Sequence, residues 1–76
     1  MLTIFEKPGC PHCKRARGHL RKKKIAFSTV RCKDTEELKE KIKAKGLRVP
    51  TTLTFPRVFD GKKLIGGADQ TEKRFA

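Results

Sequence analysis

Tryptophan and tyrosine are absent, and the five phenylalanines are scattered rather than arrayed. That leaves no series of aromatic platforms on which nucleic-acid bases could stack. It also predicts a thin core. Hydrophobic residues make up 36% of the 76, enough for one small domain over 1–76 and no second. Buried area alone leaves such a chain little margin, so well-formed secondary structure must contribute. No stretch reaches the apolar length of a membrane span. The opening MLTIFEKP alternates like a strand and lacks the basic and apolar regions of a signal peptide. These absences predict a soluble, cytoplasmic protein, with no membrane association and a monomer as the simplest assembly. Repeats, linkers and low-complexity tails are also missing.

Acidic residues are few: 8 Asp and Glu stand against 20 Lys and Arg, a net charge of +12. Such a surface attracts anions and binds nucleic acid non-specifically at low salt. Much of the charge lies in KRARGHLRKKK, Lys14 to Lys24, a run that also reads as the solvated face of a helix. Cysteines are few as well. The three, Cys10, Cys13 and Cys32, are an odd number, whereas a secreted disulfide scaffold carries a denser, even set.

The chain divides readily into elements. Residues 2–6 read as a strand, ended by Lys7-Pro8-Gly9. Pro11 suits the first position of a helix, which makes Cys10 its N-cap. That helix runs to about Lys24, with a sparse inward face of Cys13, Ala16 and Leu20 and a weak point at Gly18. Residues 25–32 form a second strand, with Ile25 and Phe27 on one face. Asp34 then caps a helix in a capping-box pattern with Glu37. Leu38 and Ile42 line its buried side, and Gly46 closes it. Residues 47–56 are Pro-punctuated and extended. Residues 57–65 form a hairpin turning around Asp60-Gly61, and GGADQTEKRFA ends in a short helix. The order β-α-β-α-β-β-α predicts an α/β fold: a four-stranded mixed sheet flanked by three helices.

Cys10 and Cys13 admit more than one chemistry. A structural zinc site needs four ligands, usually in two close pairs. Cys32 follows Cys13 by 19 positions, but its would-be partner is Thr35. His12 lies inside the Cys-x-x-Cys turn, and His19 lies further along the same helix. A redox pair explains more. A cysteine at a helix N-cap faces unpaired N–H groups and the positive end of the helix dipole, which favour the nucleophilic thiolate. Lys7, His12 and Lys14 add positive charge nearby. Cys13, one turn on and less exposed, can close a small disulfide ring with Cys10. His12 reads either as a plain turn residue or as a group that tunes the Cys10 thiolate and makes the disulfide more oxidising. His19 reads as a helix-surface residue, and Cys32 as a small hydrophobe with some exposure.

Two blocks, in order, resemble the glutaredoxin family of the thioredoxin-like superfamily, and the likeness runs from Leu2 to about Glu72. KPGCPHC is similar to the family's active-site segment, with His12 where Tyr is usual. TFPRVFDGKKLIGGADQ, residues 54–70, is similar to the family's T-V-P-x-V-F…G-G-C-D-D block. Compact virus and phage members have comparable size. The resemblance implies a thioredoxin-like fold and a glutathione-dependent thiol–disulfide oxidoreductase. Cys10 would attack glutathionylated proteins or protein disulfides, ribonucleotide reductase among the implied substrates. Cys13 would resolve protein mixed disulfides. Glutathione would be the co-substrate, with no tightly bound cofactor and no metal.

The resemblance further implies a cis-proline at Pro56 and a glutathione site built from Lys7, Phe55, Pro56, Gly66, Gly67, Ala68 and Asp69, with Arg57 assisting. Pro50 follows a valine, as the family's proline does, but it stands 16 residues before the double glycine, against 10 for Pro56. Iron–sulfur members usually carry Cys-Gly-Phe-Ser, from which Pro11 and Cys13 depart. Two rivals remain: a thioredoxin-like protein reduced by a flavoenzyme, and a basic module that binds zinc or nucleic acid.

Overall fold

The structure is a computed structural model describing residues 1–76. Its elements are β1 (Leu2–Glu6), α1 (Pro11–Lys22), β2 (Phe27–Arg31), α2 (Thr35–Ala44), β3 (Arg57–Asp60), β4 (Lys63–Gly66) and α3 (Ala68–Arg74). The strands form one mixed sheet in the order β2-β1-β3-β4. β1 and β2 are parallel, with Leu2 opposite Phe27 and Glu6 opposite Arg31. β3 runs antiparallel to β1 and β4 antiparallel to β3.

β1 is an inner strand, and its two faces feed two separate parts of the core. Leu2 and Ile4 pack with Leu20 of α1 and Val58 of β3. Phe5 points the other way, into a cluster with Cys32, Leu38 and Ile42 of α2, and Phe59. The period of two that places alternate side chains on opposite faces therefore decides which helix each residue meets. α1 and α3 lie together on one face of the sheet, while α2 covers the other. The extended 47–56 segment adds Leu47, Val49, Leu53 and Phe55 to the α2 side.

Several boundaries differ from the sequence expectation. α1 ends at Lys22 rather than about Lys24, because Lys24 takes a positive φ of 60° and Ile25 N–H turns back to the Leu20 carbonyl at 3.0 Å. That closure leaves Ile25 outside β2. The β3–β4 turn is Gly61-Lys62, with Asp60 and Lys63 paired across it, one position later than expected. At α2, Asp34 accepts from the Glu37 N–H at 2.9 Å, but the Glu37 carboxylate accepts from Lys33 N–H rather than from the cap residue itself. Cys32 is fully buried, correcting the expectation of some exposure: it sits under α2 in the Phe5 cluster. No helix is long and apolar enough to cross a membrane.

Candidate active site

The loop after β1 brings Cys10 to the head of α1. Gly9 makes the turn at φ 72°, Cys10 is the N-cap in extended conformation, and Pro11 opens the helix. The Cys10 sulfur accepts the Cys13 N–H at 3.2 Å. One orphan donor of the helix start is thereby spent on the sulfur, a bond that strengthens when the sulfur is an anion. Both residues are free thiols, Cys10 half-buried and Cys13 buried at 1% exposure. Burial, followed by a hydrogen bond with Cys10, pushes the Cys13 thiol from 9.0 up to about 12. Cys13 is thus held protonated at neutral pH, one helical turn behind the sulfur that meets solvent. The arrangement suits attack by Cys10 first and by Cys13 second.

Two adjoining concavities extend from Cys10. One, of about 450 Å³, is lined by Lys7, Cys10, His12, Leu53 and Phe55 among others. The next, of about 270 Å³, is lined by His12, Arg15, Phe55, Pro56, Arg57, Gly67, Ala68, Asp69 and Gln70. They share His12, Thr54 and Phe55, so they form one groove from Lys7 to Asp69. The Phe55–Pro56 peptide is cis, and Pro56 is buried. Pro50, the other proline weighed, lies outside this groove. The Lys7 ammonium stands 5.6 Å from the Phe55 ring centroid, within cation–π range.

The double glycine has a division of labour. Gly67 lines the groove, and a Cβ there would come within 3.2 Å of the Arg57 guanidinium. Gly66 lies behind it, buried and absent from the lining, at φ 130°. Gln70 accepts from Gly67 N–H at 3.0 Å, and the buried Thr71 hydroxyl donates to the Gly67 carbonyl at 2.8 Å. The start of α3 is therefore tied to the groove wall. Arg57 donates from Nε to the Pro56 carbonyl at 3.1 Å, and desolvation by burial lowers its guanidinium from the ordinary value.

Of the groove and thiol residues expected from the sequence, Arg57 included, all but Gly66 line these two concavities or form the thiol pair itself; Gly66 supports from behind. Sequence reasoning missed Arg15, whose guanidinium pairs with Asp69 and, at 3.1 Å, with Glu72, joining α1 to α3. Only the fold brings residues 54 positions apart into that pair. It also took His19 for a plain surface residue. His19 is half-buried, and its Nε2 donates to the Phe75 carbonyl at 3.0 Å, fastening the C-terminus to α1. No group of three or more His, Cys, Asp or Glu side chains is arranged to hold a metal ion.

The glutaredoxin family model matches residues 2–65. Glutaredoxin 1 of Rickettsia bellii is 32% identical over 68 residues, covering 90% of this chain and 69% of the relative. Among solved structures, glutaredoxin 1 of Francisella tularensis, complexed with cacodylate, superposes with a TM-score of 0.77 at 22% identity. That match covers 96% of this chain and 88% of the other, a likeness of fold. A buckwheat glutaredoxin–glutathione complex superposes with a TM-score of 0.72 at 25% identity, covering 96% of this chain and 66% of that one.

Proposed function

The chain belongs to the glutaredoxin family of thiol–disulfide oxidoreductases, and from that membership we propose that it works with glutathione through Cys10 and Cys13. The observation that carries this reading is the groove that runs from Cys10 past Phe55 and Pro56 to Gly67 and Asp69. Its dimensions and lining suit an extended tripeptide with a carboxylate at each end. Lys7 would meet the glycine carboxylate, and the Phe55 backbone would pair with the cysteinyl unit. Gly67, Ala68 and Asp69, at the start of α3, would hold the γ-glutamyl end. That a structurally similar buckwheat glutaredoxin was solved in complex with glutathione supports glutathione as the ligand.

In this mechanism the Cys10 thiolate attacks the glutathione sulfur of a mixed disulfide. The Cys10–glutathione disulfide forms, and the protein thiolate leaves. A second glutathione then attacks, so that oxidised glutathione departs and Cys10 is restored as thiolate. With a protein disulfide, Cys10 first forms a mixed disulfide with the protein. Cys13 loses its proton and attacks the Cys10 sulfur, releasing the substrate dithiol and leaving a Cys10–Cys13 disulfide for two glutathiones to reduce. His12, on the groove beside Cys10, would stabilise the thiolate when protonated. A reducing cytoplasm would supply the glutathione. Glutathionylated and disulfide-bonded proteins, ribonucleotide reductase among them, are the proposed substrates, met by a monomer.

The test is coupled turnover of a small glutathione mixed disulfide with glutathione, glutathione reductase and NADPH. Cys10→Ser is expected to abolish turnover. Cys13→Ser is expected to keep deglutathionylation and lose reduction of protein disulfides. Turnover that persists in Cys10→Ser would overturn the reading. No turnover by reduced, folded wild type would favour the flavoenzyme-reduced alternative.

A further inference from the structure

A second concavity opens onto Cys10, of about 360 Å³, and Phe55, Pro56, Gly67 and Asp69 take no part in it. Its charged lining is four cations, Lys7, Lys14, Arg17 and Arg31, against one carboxylate, Glu6. Glu6 continues the register of Leu2 and Ile4 on β1 and is only 3% exposed. A carboxylate so buried must be paired, and Arg17 from α1 and Arg31 from the end of β2 both donate to it. Each arginine spends one nitrogen on Glu6, so the remaining guanidinium N–H groups stay available. Lys7 and Lys14 form no ion pair at all. With Lys7 shared with the glutathione groove, Lys14, Arg17 and Arg31 leave this cleft cationic when glutathione is bound, and Cys10 lies on its rim.

We propose that this cleft docks an acidic polypeptide segment flanking the cysteine of the substrate disulfide, and so selects acidic protein substrates. The proposal rests on Cys10 being the nucleophile. When glutathione fills the Phe55–Asp69 groove, the rest of the mixed disulfide must lie outside it, and the cleft is the other concave surface that reaches Cys10. Complementary charge at such a rim speeds encounter and sets partner preference. Nucleic acid has the right charge but brings no sulfur to Cys10, and the chain offers no stacking series to hold its bases.

The test compares two peptide–glutathione mixed disulfides of equal length, one with Asp and Glu around the cysteine and one with Ser and Gln. kcat/KM for the acidic peptide should exceed that for the neutral one about tenfold at about 20 mM ionic strength, shrinking to about twofold at about 0.5 M. Lys14→Ser with Arg31→Ser should cut that advantage by at least about threefold. Lys14→Ser alone breaks no ion pair, and a smaller loss of the same sign is expected. Lys43→Ser with Lys45→Ser removes equal charge from the end of α2 and should leave the advantage intact.

Equal kcat/KM for the two peptides, or equal loss in both double variants, would overturn the proposal. So would a 12-nucleotide single strand that binds more tightly than the acidic peptide and loses binding in the Lys14/Arg31 variant, which would indicate nucleic acid instead. Anisotropy binding of the acidic peptide with Ser in place of its cysteine reads the cleft without chemistry. If wild type turned over no glutathione mixed disulfide yet bound this peptide through Lys14 and Arg31, the mechanism would fail while the docking surface stood.

Discussion

Cys10 and Cys13 have the same functional group, and their surroundings set them apart. Cys10 caps the helix from a half-exposed position, while Cys13 is enclosed. The enclosure has a consequence for stability. With the Cys13 thiol raised from 9.0 to about 12, the native chain keeps between those pH values a proton that the unfolded chain has released. Stability therefore falls as pH rises from 9, and the loss saturates above about 12. Between pH 9 and 10.5 this group should remove about 1.5 kcal/mol from the reduced protein. Urea titrations of reduced wild type and Cys13→Ser at both pH values would show it as a difference of slopes. Equal pH dependence in the two proteins would exclude Cys13 as its source. Cys32, also raised by burial, is present in both and cancels.

At the scale of elements, α3 is the part that most directly couples local backbone chemistry to the groove. It is only seven residues long, too short to persist without tertiary support. Gln70 on Gly67 N–H, Thr71 on the Gly67 carbonyl, Arg15 on Asp69 and Arg74 on Asp60 provide that support. Gly66 sits at its entrance with φ 130°, and a Cβ there would meet Gln70 Cγ at 2.9 Å. Gly66→Ala should displace Gln70, loosen the head of α3 and cost roughly 1–3 kcal/mol. Because Gly66 itself does not line the groove, kinetics should show KM for glutathione rising more than kcat falls. A variant with wild-type stability and KM would show that α3 tolerates the shift.

Across the whole molecule, a small core is divided by a sheet whose inner strands face both ways. Phe5 and Phe59 meet edge to face, with centroids 5.6 Å apart and planes at 80°, beneath α2. Phe59→Ala removes one of the two largest buried side chains, at a cost of about 3–5 kcal/mol. A domain of this length has roughly 4–11 kcal/mol in total. Urea denaturation should therefore find that Phe59→Ala loses a large share of the total stability, with Phe59→Leu losing less than about 1.5 kcal/mol. A shift in Phe59→Ala below about 1 kcal/mol would mean that the α2 side closes over the gap. Charge is also a property of the whole. Five of the eight acidic residues are already engaged in ion pairs, so the cationic excess is left facing solvent.

The sequence by itself determined the element order, the placement of Cys10 at a helix start and the inward face of α1. Each depends on neighbours within a few positions: a proline at N1, a loop glycine, apolar residues one helical turn apart. The family blocks likewise carried the groove residues, because their spacing along the chain is itself the signal. Tertiary structure decided the rest. Glu6 could be read only as the end of a strand until Arg17 and Arg31 converged on it from two other elements. Arg15 and His19 looked like members of a solvated basic run, and the approach of α3 to α1 made them ties. Lys24 ends α1 without the glycine that usually announces a positive φ. Hydrophobic period and turn chemistry are local and survive in one dimension. Charge pairing and burial depend on which distant segments the sheet brings side by side.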